Sequence, residues 1–211
     1  MSDHLELTDY RRRVFAMYEA LRLDTGDEQE RLRAFRSARD RLFREHPQSA
    51  VPPAERSAFA GVRYYAYEPS LRFAPELEAD PTGPPLELPR SAGGGMGFRR
   101  IGWVRFAVGA VEQRLAAYWT EGYAGGLFIP FRDATSGSET YGGGRYVWDS
   151  IKGADLGSDG TSLVLDFNYA YHPSCVFDPR WSCPLAPMEN WLPLPLRAGE
   201  RLPEGWQPHG G

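Results

Sequence analysis

The residues best suited to chemistry lie in the last third of the chain, between Asp166 and Glu200. This segment contains both cysteines of the chain, Cys175 and Cys183, together with His172. The spacing His-x2-Cys-x7-Cys offers ligand types that zinc accepts, but zinc normally has a closer cysteine pair and a fourth ligand. A cysteine nucleophile would need His172 as its local base. We favour buried thiols that pack beneath a proline-rich loop and predict no metal, while free, paired and metal-bound thiols stay open.

A second polar segment covers residues 131–146 and reads FRDATSGSETYGGGRY. Arg132 and Arg145 can receive a carboxylate or a phosphate through two N–H donors, because the guanidinium group is planar and permanently charged. Gly142 to Gly144 permit a close approach of backbone or ligand. The lysine and the following helix of a phosphate-binding P-loop are missing, so we favour a glycine-rich turn that enters a strand.

Together, the two segments have the composition of a small-molecule pocket. Carboxylates and amides can fix the polar groups of an anionic or polar ligand, and aromatic rings can form the walls. We predict a pocket framed by segments 131–146 and 166–191, with these ligand-binding residues: Arg132, Asp133, Glu139, Tyr141, Arg145, Asp166, Asn168, Glu189 and Asn190. A competing interpretation has equal weight: the arginines and acids pair with each other, and the amides satisfy the backbone of a long loop.

An enzymatic alternative rests on two of these carboxylates. In a hydrolase, Asp166 and Glu189 would act as general base and general acid, and Arg132 would steady an anion. Such chemistry requires the two carboxyl groups to lie about 5–10 Å apart in one cleft. No motif in the chain specifies it, so a ligand-binding module is the leading hypothesis and the hydrolase is the alternative.

Composition and charge restrict the class of protein. The 211 residues are 42% hydrophobic and 25% charged, which is typical of a soluble globular protein with a substantial core. The net charge is −4, which argues against a nucleic-acid partner. No apolar run reaches the length of about 20 residues that a membrane span needs, so we predict no membrane partner and a cytoplasmic location. We also predict no cofactor.

The first part of the chain, residues 1–47, is predicted to form a helical pair. Apolar side chains recur at helical spacing over residues 10–21 and again over residues 32–43. Between them, Thr25 and Glu28 have the spacing of a capping box, which indicates the start of the second helix.

From residue 48 onwards, alternating and aromatic stretches predict β-strands, with a two-residue turn at Gly109 and Ala110. No alternation of strands and helices is visible, which argues against a parallel sheet. We therefore predict an α+β fold: a predominantly antiparallel sheet, barrel-like or sandwich-like, between the helical pair and a long ordered C-terminal loop. The β-domain covers residues 48–202, and residues 203–211 form a C-terminal tail.

The segments at 131–146 and 165–200 resemble the domain-of-unknown-function 1684 family; the second reads LDFNYAYHPSCVFDPRWSCPLAPMENWLPLPLRAGE. The resemblance extends back to about residue 30 through RDRLFREHPQSAVPPAERSAF and GVRYYAYEPSLRF. It implies a shared fold and a shared face, and no particular reaction. By resemblance, the recurring polar positions of the family are the predicted pocket residues together with Thr140, Cys175 and Cys183. His172 stands where the family usually has asparagine, which argues against His172 as an essential base or ligand.

Overall fold

The computed structural model describes residues 3–80, 82–122 and 125–206. Two helices come first, α1 (Asp3–Leu23) and α2 (Glu28–Glu45), and they confirm the predicted helical pair. The predicted cap was wrong: Asp27, not Thr25, precedes α2 and accepts a hydrogen bond from the Glu30 amide at 2.9 Å. A carboxylate at this position satisfies a free amide of the first turn and also opposes the positive end of the helix dipole.

Ten strands follow in the described part of the chain, and every pair that they form is antiparallel. The strands are β1 (Arg63–Tyr64), β2 (Arg72–Phe73), β3 (Leu77–Ala79), β4 (Pro85–Pro89), β5 (Gly95–Val108), β6 (Val111–Thr120), β7 (Leu127–Phe131), β8 (Arg145–Asp149), β9 (Leu165–Asp166) and β10 (Glu200–Arg201). Short 3-10 helices occur at Arg56–Ala58, Pro69–Leu71, Ser150–Lys152, Phe167–Tyr169, Ser174–Val176 and Met188–Asn190.

Six strands form one sheet in the order β3-β5-β6-β7-β8, with β4 also paired to β5. Its centre is the hairpin of β5 and β6, and the predicted two-residue turn at Gly109 and Ala110 joins them, since Val108 pairs with Val111. Gly109 has a φ of 60°, which this tight turn requires and glycine adopts without strain. β3 and β8 are not paired with each other, so the α+β fold is confirmed and the barrel-like form is not.

The sheet is covered on both faces. On one face, α1 and α2 pack onto the strands, and their buried side chains share a cluster with those of the sheet: Val14, Tyr18, Phe35, Leu42, Phe98, Tyr118, Phe128 and Tyr146. On the other face, the C-terminal loop completes a second cluster: Val104, Leu115, Ile129, Trp148, Phe167, Leu192 and Leu196. Successive residues of β6 alternate between the two clusters, as a strand covered on both faces requires.

The predicted long C-terminal loop is ordered, although little of it is regular structure. Between β9 and β10 the chain contains only three short 3-10 helices. Two small sheets anchor the ends of the loop, since β9 pairs with β2 and β10 pairs with β1. The boundaries of the β-domain stay a prediction, and the predicted tail lies outside the described residues from residue 207 onwards. None of the described helices combines the length and apolarity that crossing a membrane requires.

Candidate functional site

Arg145, at the start of β8, has no exposed surface and binds the C-terminal loop from within. Its guanidinium group donates to the carbonyl oxygens of Leu196 at 2.9 Å, Ala198 at 2.5 Å and Glu200 at 3.2 Å. It also pairs with Asp133 at 3.1 Å, and the side chain of Asp133 is equally unexposed. Arg145 and Asp133 therefore face each other and the loop, and neither faces solvent.

The turn before Arg145 explains the glycines of segment 131–146. Gly144 has a φ of 101°, and a Cβ atom there would lie 2.6 Å from the carbonyl oxygen of Phe131 and 2.9 Å from Ala186. A side chain at this position would be strained and would also collide with neighbouring segments of the same protein. The structure thus agrees with a glycine-rich turn that enters a strand. The group that approaches Gly144 most closely is the backbone carbonyl of Phe131.

Two buried asparagines hold the same loop elsewhere. Asn190 accepts a hydrogen bond from the Ala116 amide at 2.7 Å and donates to the carbonyl oxygens of Ala116 and Pro130 at 3.0 and 2.6 Å. Asn168 bonds the amide and the carbonyl oxygen of Glu68 at 2.8 and 2.9 Å. These amides replace the strand pairing that the loop lacks, because buried backbone groups need partners.

The two carboxylates of the predicted hydrolase lie in separate clusters. Asp166 is buried and pairs with Arg72 at 3.3 Å, and burial raises its pKa. Glu189 pairs with Arg100 at 2.8 Å and accepts a hydrogen bond from the hydroxyl of Tyr118. The two acids share no partner, and each is engaged in its own ion pair. This arrangement gives no support to paired-carboxylate chemistry.

Other predicted residues lie closer to the surface. Glu139 pairs with Arg197 at 2.8 Å and accepts a hydrogen bond from the Tyr65 hydroxyl at 3.0 Å. Arg132 stacks on Trp191, with the guanidinium carbon 3.8 Å from the ring centroid, and the ring is 46% exposed. Of the predicted ligand-binding residues, Arg132 is thus the one whose guanidinium group stacks on an exposed aromatic ring.

A cavity of about 340 Å³ lies between the helical pair and the sheet. Its walls come from α1 and α2, from β5, β7 and β8, and from the C-terminal loop at residues 171–184. None of the predicted ligand-binding residues lines the cavity. Both predicted segments nevertheless contribute other residues to its wall. The polar wall residues that bear on function are Tyr10, Tyr18, Arg39, Asp149, Lys152 and His172.

Two ion pairs place charge at the wall of this cavity. Lys152 pairs with Asp149 at 3.2 Å, and Tyr171 donates to the same carboxylate at 3.0 Å. Burial opposes the charge of Lys152, but Asp149 and neighbouring groups outweigh it and raise the lysine pKa. Arg39 pairs with Glu200 at 2.5 Å, which fastens α2 to β10. Both cations stay charged; Arg39 is buried and held in place, whereas the Lys152 side chain is 43% exposed.

The hydroxyls of Tyr10 and Tyr18 form no hydrogen bond within the described part of the chain. Burial raises the pKa of both tyrosines, so each keeps its proton and can donate it in a hydrogen bond. In the sequence, these tyrosines follow the spacing of the apolar residues of a helix, which predicts only that they lie in the core. The one available signal was residue type, because a buried tyrosine usually finds a partner for its hydroxyl.

His172 is a buried neutral imidazole. Its Nε2 accepts a hydrogen bond from the Tyr141 amide at 3.2 Å, which places the proton on Nδ1. Nδ1 forms no hydrogen bond with the described residues and lies 3.7 Å from the carboxylate of Glu200. Burial lowers the histidine pKa well below its usual value, and the charges of Arg145 and Arg39 act in the same direction.

The two cysteines are both buried and free, so the predicted burial is confirmed. Interaction with Cys183 lowers the pKa of the Cys175 thiol, and interaction with Cys175 raises the pKa of the Cys183 thiol. Within the described residues, no group of three or more His, Cys, Asp or Glu side chains is placed to hold a metal ion.

Comparison with known proteins finds a matching family model and similar solved structures. A family model described as a protein of unknown function (DUF1684) matches residues 57–201, more than half of the chain. The chain is also similar to the solution NMR structure of an uncharacterized protein from Haloarcula marismortui, with 34% identity and a TM-score of 0.59. That match covers 82% of this chain and 93% of the other. No curated protein matches the chain.

Replacing Arg145 with methionine should lower the free energy of unfolding by about 3–5 kcal/mol, because the buried carboxylate of Asp133 loses its cation. Urea unfolding followed by circular dichroism measures the change. The matched control is Arg197→Met, which removes an exposed pair with Glu139 and should change stability far less, because solvent screens exposed pairs. Equal losses in the two variants would contradict the structural role of Arg145.

In the variant His172→Gln, the free energy of unfolding should fall less steeply as the pH drops below 6.5. The folded chain keeps His172 neutral, whereas the unfolded chain protonates it at its ordinary pKa of 6.5. The unfolded state therefore binds more protons as the pH falls, and stability declines by up to about 1.4 kcal/mol per pH unit until the folded pKa is reached. Urea unfolding at a series of pH values gives the slope. The exposed His4→Gln should keep the wild-type slope, and the same slope in His172→Gln would refute the assignment.

Proposed function

The chain belongs to the DUF1684 family of proteins of unknown function, and we propose that it is a small-molecule binding module whose site is the cavity between the helical pair and the sheet. One observation carries the proposal: tyrosine hydroxyls that have no hydrogen-bond partner among the described residues and cationic side chains meet in the wall of this cavity. Its volume of about 340 Å³ also falls in the range of about 300–1,000 Å³ that is typical of small-molecule sites.

The wall favours an aromatic or apolar ligand that carries an anionic group. The rings of Phe98 and Phe128 stack at 5.4 Å and supply a flat apolar surface. Among the described residues, the wall contains the cationic side chains of Arg11, Arg39 and Lys152 and the carboxylate of Asp149. Arg39 is paired with Glu200 and Lys152 with Asp149, whereas Arg11 forms no ion pair within the described residues. A ligand anion would therefore be attracted to Arg11 and could also accept charge-assisted hydrogen bonds from the N–H donors of Lys152.

The proposed site draws mainly on one of the two segments predicted from the sequence. Segment 166–191 supplies the wall at residues 171–184, while Tyr146 is the contribution of segment 131–146. The predicted residues Arg145, Asp166 and Asn168 support the site through the loop. Binding is favoured over hydrolysis because Asp166 and Glu189 are engaged separately. We keep a cytoplasmic location and the absence of a nucleic-acid partner as predictions.

Differential scanning fluorimetry with benzoate, indole-3-acetate and phenyl phosphate tests the proposal, each compared with its uncharged analogue. We expect at least one aromatic anion to raise the melting temperature, since a ligand that binds the folded state stabilises it. The uncharged analogue should give a smaller shift, because it loses the interaction with Lys152. The absence of a shift with any of the three anions at millimolar concentration would overturn the proposal.

Variants then locate the site. Lys152→Met should weaken binding of the stabilising anion by about tenfold or more, since a hydrogen bond to a charged group contributes about 1.5–3 kcal/mol. Tyr18→Phe should weaken it too, because only the hydroxyl is removed. Arg132→Met is the matched control on the predicted outer face and should leave the affinity, measured by isothermal titration calorimetry, unchanged. Loss of binding in Arg132→Met with normal binding in Lys152→Met would move the site to that face.

A further inference from the structure

The 3-10 helix Met188–Asn190 brings two large apolar side chains to the surface of the protein. Met188 is 78% exposed and Trp191 is 46% exposed, and the Trp191 amide donates to the Met188 carbonyl oxygen at 3.1 Å. Because side chains three residues apart lie above one another in a 3-10 turn, these two extend from the same side of the helix. Together they form an exposed apolar patch.

Hydrogen bonds hold this patch in place from below. Asn190 has no exposed surface, and its side-chain amide bonds the backbone of β6 and β7. The indole N–H of Trp191 donates to the carbonyl oxygen of Ala186 at 3.2 Å, and the Arg132 amide donates to the carbonyl oxygen of Asn190 at 2.9 Å. A surface that is already ordered loses little conformational entropy when a partner binds.

Two arginines of this region each stack on a tryptophan. The guanidinium carbon of Arg132 lies 3.8 Å from the ring centroid of Trp191, and that of Arg114 lies 4.2 Å from the ring centroid of Trp103. Neither arginine forms an ion pair or a side-chain hydrogen bond within the described residues. Stacking uses one face of the planar guanidinium group, so its N–H edge is free to bind a carboxylate through two hydrogen bonds.

Arg100 connects the two arginine–tryptophan pairs. It binds the carboxylate of Glu189, next to Met188, at 2.8 Å. Its guanidinium carbon also lies 4.8 Å from the centroid of the Trp103 ring, on which Arg114 stacks. We name the connected residues the arginine–tryptophan surface: Arg100, Trp103, Arg114, Arg132, Met188 and Trp191.

The charge of Arg114 is not balanced by a neighbour. In the register of β5 and β6, Arg114 lies directly opposite Arg105, and like charges in directly opposite positions destabilise a sheet. Arg105 is neutralised by Glu78 at 2.8 Å, whereas Arg114 has no such acid in the described part of the chain. A carboxylate from another molecule would neutralise Arg114.

From this arrangement we propose that the arginine–tryptophan surface binds an acidic segment of another protein. One carboxylate of the segment binds each of the two stacked arginines, and an apolar side chain packs on Met188 and Trp191. Tryptophan, methionine and arginine are the residue types that are enriched in protein interfaces and their hot spots. The proposal does not depend on whether the cavity binds an aromatic anion.

Other classes of partner fit this surface less well. Small ligands bind in concave pockets, and neither Arg114 nor Arg132 lines the cavity between the helical pair and the sheet. Nucleic acids need an uninterrupted basic surface, whereas the carboxylates of Glu78, Asp80 and Glu189 lie among these arginines and would repel phosphate groups. A protein segment with separate carboxylates and an apolar side chain matches both the charges and the patch.

Selection from a random phage-displayed peptide library, with the immobilised full-length protein as bait, tests the proposal. We expect the selected peptides to carry acidic residues on both sides of an apolar residue. Their binding should weaken as the ionic strength rises, because salt screens exposed charge pairs. Failure to enrich any peptide, or enrichment of peptides without acidic residues, would overturn the proposal.

Variants then locate the binding of a selected peptide. Arg132→Met and Arg114→Met should each weaken it by about tenfold or more, because each removes a hydrogen bond between charged groups. The matched control is Arg99→Met: Arg99 precedes Arg100 on β5, extends to the opposite face, and pairs with Glu121 at 2.9 Å. Melting temperatures confirm that the variants are folded. Unchanged affinity in the first two variants, or an equal loss in Arg99→Met, would refute the assigned surface.

Sedimentation velocity distinguishes an acidic segment from a second copy of this chain. We expect the wild type and Trp191→Ala to sediment with the same coefficient, because the proposed partner is another protein. A wild-type dimer that Trp191→Ala converts into a monomer would assign the surface to self-association and contradict the proposal.

Discussion

A guanidinium group without exposed surface must find its partners inside the protein, and in this chain that requirement sets the course of the C-terminal loop. Arg145 bonds three carbonyl oxygens of the loop, at Leu196, Ala198 and Glu200, and one carboxylate, at Asp133. The loop has no strand ladder of its own, so these bonds replace one. An uncompensated buried charge is costly, and the loop therefore has little freedom to lie elsewhere.

The ordered loop in turn shapes the cavity. Glu200, whose carbonyl oxygen Arg145 binds, uses its carboxylate to hold Arg39 of α2 and the amide of His172. One residue thus links the loop, the helical pair and the strand that carries Arg145. The cavity lies where these three parts meet the sheet, so its walls are only as rigid as this buried charge network.

Much of the fold could be predicted from the sequence, because its signals are local. Helical spacing located α1 and α2, and the pair Gly109-Ala110 located the central hairpin. The site could not be found in the same way. Asn190 meets Ala116 across 74 residues, and Arg145 meets Leu196 across 51, so a polar residue type does not reveal whether its partner is a ligand or a distant backbone group. The competing interpretation, that these residues satisfy each other, describes their contacts better than the predicted pocket does.

The separation between Arg145 and its carbonyl partners also has a consequence for how the protein is made. During synthesis, β8 emerges from the ribosome more than 50 residues before Glu200, whose carbonyl oxygen Arg145 will bind. Until then, the buried position of Arg145 cannot form, and the strands beside it have one uncovered face. Contacts of such long sequence separation form slowly. The helical pair covers the opposite face of the sheet, so the face of the central hairpin that the loop will cover stays open until nearly the whole domain has been translated.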